Sequence, residues 1–268
     1  MNTTAGSDTD NDTAATPVDD HHSQAGWRVR CEWGPMGLRR LAPFCDVIVV
    51  IDVLSFTTSV DMVVGNGGVV LPYRWHDGNE ADYAAEQGAM LAAKKKDPDF
   101  ARKFSLSPAS LVEFPADGRI VMPSPNGSAL CFGAREAGAE TVLAGCLRNA
   151  PSVGAAAARG ATIGVIPAGE RWKITTGSLR PALEDWLGAG AVIDGLVDAG
   201  VPVTDLSPEA RGARASFRDA RTDLLEVLEG CASGRELFEL RPGDPPIAAL
   251  HGVSDVVPTL VGDELRNP

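Results

Sequence analysis

The run Val47-Ile48-Val49-Val50-Ile51 most constrains this fold: five consecutive β-branched residues, closed by Asp52. An uninterrupted apolar run of this kind predicts a strand buried on both faces, as in a parallel sheet covered by helices on each side. Asp52 marks where burial stops. Ser55, Thr57 and Thr58 follow at once, placing hydroxyls and backbone N–H groups at a helix start, where the dipole and unpaired donors favour anions. A carboxylate beside such donors suits a metal bridging to a phosphate.

The rest of the chain repeats the strand-then-helix pattern. A helix is expected to about Val64, closed by Gly65-Asn66-Gly67-Gly68, then a strand at Val69–Tyr73. The Ala-rich run Glu80–Lys96 predicts a helix ending in three lysines, read as a solvated helix end, and Asp97–Pro115 an irregular connection or lid. Further strands are expected at Arg119–Met122, Thr141–Ala144 and Thr162–Ile166. Helices are expected over Leu179–Val197, which holds Gly188 and Gly190, and from Ser207-Pro208-Glu209 to about Gly230. Trp27–Trp33 alternates apolar and charged residues, which predicts an edge strand with one wet face. Strand and helix in alternation give the expected fold class: α/β, a three-layer sandwich with a mainly parallel sheet and helices on both faces.

Composition bounds the setting. The chain has 268 residues, 44% hydrophobic, with a net charge of −12. That acidity argues against nucleic acid or an anionic membrane as partner. Residues 1–26 are expected to be a disordered acidic tail ahead of one domain over 27–268, because Asp, Thr, Ser and Ala cannot repay the entropy of ordering. No apolar run approaches the ~18 residues of a membrane span. Cys31, Cys45, Cys131, Cys146 and Cys231 are odd in number and form no CxxC pair, which fits buried reduced thiols in a cytoplasmic protein. Arg211, Arg214, Arg218 and Arg221 form one helical stripe, either an anion-docking face or, as favoured here, a solvated face neutralised by Glu209, Asp219, Asp223 and Glu226. A homo-oligomer through the Trp27–Trp33 edge or the Gly-rich helix is compatible with the sequence.

In open α/β sheets, ligands bind outside the carboxyl ends of the strands. Four successive exits carry polar groups there: Asp52 with Ser55, Thr57 and Thr58; Asn126-Gly127-Ser128; Arg148-Asn149; and Gly169-Glu170. Each has a plain alternative as a cap, a turn or a surface charge. Their coincidence favours a divalent-metal phosphate site, with carboxylates for Mg²⁺ and Arg148 and helix-start donors for phosphate oxygens. There is no GxxxxGK[ST], no GxGxxG after a strand, no cysteine followed by arginine six positions on, and Leu54 stands where a DxD pattern needs its second aspartate. His76 and His251 lie near no GxSxG, so a serine-hydrolase triad has no support.

VIVVIDVLSFTTSV, PNGSA, GCLRNA, IPAGE and LEDWLGAGAVIDGL, in this order from Val47 to Leu196, resemble the 2-phosphosulfolactate phosphatase family, and GREL and VVP extend the likeness towards the end. The resemblance implies a Mg²⁺-dependent phosphatase that removes phosphate from 2-phosphosulfolactate, a step in coenzyme M formation where that pathway exists. It implies roles for Asp52, Thr57, Thr58, Asn126, Gly127, Asn149, Glu170, Glu184, Asp185 and Gly190. The chain departs from the common DVLRATT pattern at Ser55.

The combined expectation is a phosphomonoesterase acting on a small anionic phosphoester. Asp52 and Glu170 would be catalytic; Asp52, Glu170 and Asp185 would hold the metal. Ser55, Thr57, Thr58, Asn126, Gly127, Ser128, Arg148 and Asn149 would hold the substrate. Whether Asp52 attacks phosphorus or holds the ion stays open at this stage, and the alternative is a non-catalytic binder of phosphorylated or sulfonated metabolites.

Overall fold

The computed structural model describes residues 21–74, 78–94, 103–172 and 177–268; the first twenty residues, His76, Lys95 and Lys96 lie outside them. The first half of the chain runs β1 (Val29–Cys31), α1 (Gly34–Leu41), β2 (Val47–Ile51), α2 (Phe56–Gly65), β3 (Val69–Arg74), α3 (Glu80–Glu86), β4 (Met90–Leu91), β5 (Arg119–Ser124) and α4 (Gly127–Glu136). It continues through β6 (Thr141–Gly145), α5 (Ala150–Ala157), β7 (Ile163–Pro167), the short pair β8 (Glu170–Arg171) and β9 (Leu179–Arg180), and α6 (Leu183–Asp198). The last part comprises α7 (Pro208–Ala220), α8 (Leu224–Gly230), α9 (Ala232–Phe238), α10 (Asp244–Ala248), β10 (Thr259–Val261) and β11 (Glu264–Arg266).

Nine strands form one sheet in the order β1-β7-β2-β6-β10-β11-β3-β5-β4. The pairs within β1-β7-β2-β6 and within β3-β5-β4 are parallel. The antiparallel hairpin β10–β11 joins the two groups, pairing Thr259 with Leu143 and Leu265 with Val70. The expected α/β class is therefore what the chain adopts, with a C-terminal hairpin as the splice.

Alternation along β2 builds the three layers. Val47, Val49 and Ile51 enter one core with Leu187, Val192 and Leu196 of α6 and Phe217 of α7. Ile48 and Val50 enter the other with Leu41, Phe56, Val60 and Leu130. Each such side chain contributes roughly 1.5–3 kcal/mol on burial, so β2 anchors both faces at once.

Several expectations are corrected. Strand β1 lies at the sheet edge, but it is buried on both faces, because Arg30 donates to Ser23 O at 3.0 Å and Trp27 O at 2.9 Å. Gln24, grouped with the tail by composition, is buried and bonds the Cys31 backbone through both ends of its amide, at 2.7 and 3.1 Å. The helix expected to reach Lys96 stops at Glu86, since Gly88 turns the chain at φ +59° into β4, and Lys94 pairs back to Glu80. The helix expected to reach Gly230 breaks near Thr222-Asp223, residues that compete for backbone hydrogen bonds. Its arginines reach another helix: Arg214 Nε meets Asp194 Oδ1 of α6 at 2.7 Å, and Arg218 lies 3.7 Å from the same oxygen.

Candidate active site

The exit of β2 is closed by its own side chains. Thr57 Oγ1 donates to Asp52 O at 2.8 Å and accepts from Asp52 N at 3.0 Å, while Thr58 Oγ1 donates to Val53 O at 2.7 Å. Both hydroxyls are fully buried, and buried polar atoms need partners. The local fold therefore uses them as loop braces.

The same accounting engages three more expected donors within the fold. Ser128 Oγ is spent on Met122 O at 2.8 Å. Asn149, wholly buried, accepts from Cys146 N at 2.9 Å and donates to Ala144 O at 3.3 Å. Arg148 turns to α2, where Nε meets Asp61 Oδ2 at 2.7 Å, and Asp61 is 1% exposed. It neutralises a buried acid and is not among the residues around the cavity described below.

Asp52, Glu170, Asn126 and Ser55 do converge. They line a cavity of about 560 Å³ whose further polar groups come from Ser124 and Arg241, and whose apolar walls are Leu54, Leu106, Leu237, Leu240 and Pro125. Asp52 is held firmly: Oδ1 accepts from Phe56 N at 3.2 Å and Oδ2 from Gly127 N at 2.9 Å. Gly127 thus serves Asp52 instead of substrate, and a Cβ there would lie 2.1 Å from Phe56 Cδ1 and 2.9 Å from Asp52 Oδ2. Glu170 accepts from Asn126 Nδ2 at 3.4 Å and from the Arg171 backbone. Ser55 Oγ donates to Leu106 O at 2.8 Å, and Arg241 donates to that same carbonyl.

Asp185 is not in the cavity lining, and its carboxylate is engaged on both oxygens. Oδ1 accepts from Val53 N at 2.7 Å and Oδ2 from Gly169 N at 2.9 Å. Val53 follows Asp52 and Gly169 precedes Glu170, so Asp185 brackets the two loops that carry the cavity acids. The structure thus gives Asp185 a bracing role, away from the cavity lining. Neighbouring Glu184 is buried and accepts a long bond from the Cys231 thiol at 3.5 Å. Gly190 serves packing: an added Cβ would lie 2.1 Å from Ala213 O of α7.

The electrostatics are those of acids short of cations. Burial, then the Glu170 charge, pushes Asp52 up to about 7, against the lowering effect of the Phe56 and Gly127 amides. Burial and Glu184 raise Glu170, and burial, Glu184 and Asp52 raise Asp185 well above the carboxylate range. Among the described residues, no group of three or more His, Cys, Asp or Glu could hold a metal ion by itself. Two hard carboxylates do suit Mg²⁺, which keeps several waters and binds through one or two acids plus substrate phosphate. Each Asp52 oxygen retains a second lone-pair site beyond its one N–H bond.

The residue that sequence reasoning missed is Arg241. It sits on no strand exit, and no periodicity marks it; only the packing of the segment after α9 brings it to the cavity.

Fold and cavity together define an α/β protein with a two-carboxylate site at the carboxyl edge of its parallel strands. A family model described as 2-phosphosulpholactate phosphatase matches residues 39–263, most of the chain, and the chain belongs to that family. A phosphatase of this kind acts on a small phosphoester. No curated protein matches the chain. Among the described residues, no helix is long and apolar enough to cross a membrane.

Proposed function

We propose that this chain hydrolyses 2-phosphosulfolactate to sulfolactate and phosphate in a Mg²⁺-dependent reaction centred on Asp52 and Glu170. The observation that carries this reading is the pair of carboxylates lining one cavity, each raised by burial and by neighbouring acids. Asp52 and Glu170 would hold Mg²⁺, which when bound offsets their charge and polarises a phosphoryl oxygen. Asp52, with an N–H on each oxygen, is fixed in place, which favours a holding role over attack on phosphorus. Burial and the Glu184 charge raise the Glu170 carboxyl, which suits it to exchange a proton with the attacking water. In the reaction a water gives a proton to Glu170 as its oxygen bonds to phosphorus, the ester P–O bond breaks, and the leaving alkoxide takes that proton.

The non-catalytic alternative depended on a cradle of free hydroxyls and amides. Thr57, Thr58, Ser128 and Asn149 make hydrogen bonds within the fold, which bears equally on both readings. Release of inorganic phosphate from a panel of small phospho-acids, with Mg²⁺ and with EDTA, tests the proposal. Mg²⁺-dependent release supports it; ligand-induced thermal stabilisation with no release supports the binder.

A further inference from the structure

The cavity is chemically lopsided. Asp52 and Glu170 stand at the strand exits; the charges of Glu170 and Glu184 bear on Asp52, and those of Glu184 and Arg180 on Glu170. Arg241 lines the same cavity, with Leu237 and Leu240 from the α9 segment and Leu106 from the long connection. Among the described residues lining the cavity it is the only cation. Its NH1 donates to Leu106 O, and the acid that bears on it is Asp244, three residues on. Asp244 in turn pins the connection, accepting from Ser107 Oγ at 2.6 Å and Ala109 N at 3.1 Å. The guanidinium is therefore directed by structure on both sides.

We infer that Arg241 receives the second anionic group of the substrate, a carboxylate or sulfonate carried beside the phosphoester, and so sets the preference for phosphoesters of small acids. This rests on the phosphatase reading above. With a phosphate at Asp52 and Glu170, the remainder of a small substrate shares the one cavity that Arg241 lines, of a volume suited to a small ligand. An oxyanion there meets a planar fork of N–H donors, which matches carboxylate and sulfonate oxygens. The leucines around it make that part of the cavity apolar. A neutral leaving group gains nothing from it.

The test compares kcat/KM of wild type, Arg241→Met and Arg241→Lys in Mg²⁺ on 2-phosphosulfolactate, 2-phospholactate and phenyl phosphate. Arg241→Met is expected to shrink the wild-type preference for the acid esters over phenyl phosphate by roughly 10- to 100-fold, mainly through KM. Arg241→Lys recovers part of it. A loss confined to 2-phosphosulfolactate identifies the sulfonate as the group held; a loss shared with 2-phospholactate identifies the carboxylate. Equal losses on all three esters, or an unchanged preference, overturn the assignment. Wild-type protein that releases phosphate from none of them overturns the phosphatase reading itself, and this assignment with it.

Discussion

Asp52 Oδ2 accepts the backbone N–H of Gly127 at 2.9 Å, a bond between residues 75 apart in the chain. It ties the exit of β2 to the start of α4 and holds the cavity acid in place. The contact needs a bare Cα at position 127, because a methyl group there meets the Phe56 ring and Asp52 itself.

Gly127→Ala is therefore expected to cost activity well beyond its cost in stability. Overpacking of this kind destabilises by about 1–3 kcal/mol, and displacement of Asp52 should lower kcat/KM by roughly 100-fold. Parallel thermal melts and kinetics check this; a variant that melts lower yet keeps its kcat/KM contradicts it.

The Asp185 bracket separates two roles by one substitution. Asp185→Asn keeps the volume, but its amide nitrogen must face an N–H of Val53 or Gly169. A loss of about 1–3 kcal/mol in stability and a fall in kcat are expected, with the Mg²⁺ concentration for half-maximal activity shifted less than about threefold. A Mg²⁺ requirement raised tenfold or more would make Asp185 a metal ligand after all.

Much of this site was legible from residues alone. The Val47–Ile51 run gave the buried strand because β-branched residues without polar interruption have few other places to go. The edge rule for parallel sheets then brought Asp52, Asn126 and Glu170 together correctly. The same rule overcounted donors: Thr57, Thr58, Ser128 and Asn149 stand at the right exits, but whether a hydroxyl or amide is spent internally depends on acceptors fixed only by tertiary packing. Arg148 misled because its partner, Asp61, lies 87 residues away on α2. The β10–β11 hairpin was unreadable for a related reason, since its place in the sheet comes from long-range pairing and Pro258 interrupts its pattern.

Arg148 offers a check of its own. Replacing it by Met leaves Asp61 buried without its cation. A destabilisation of about 3–5 kcal/mol is expected, with recovery in the Asp61→Leu, Arg148→Met double variant. If Arg148 instead gripped phosphate, the double variant would recover stability while KM stayed high.

Stability should depend on pH through Asp52. Its folded pKa of about 7 lies above the ordinary value of ~4, so the native state holds the extra proton between them. Metal-free protein is then most favoured below pH ~4 with respect to this group and loses that contribution as pH rises to about 7, by a few kcal/mol. Chemical denaturation in EDTA at several pH values, wild type against Asp52→Asn, isolates the effect. The variant should show a flatter profile across the window; an unchanged profile assigns the slope to other acids.

The most direct test of the account is inorganic phosphate release from 2-phosphosulfolactate by wild type and Asp52→Asn, each with Mg²⁺ and with EDTA. The account predicts Mg²⁺-dependent release by wild type and a fall of at least roughly 100-fold in the variant, at a temperature where both are folded. Undiminished Mg²⁺-dependent turnover in Asp52→Asn would contradict it.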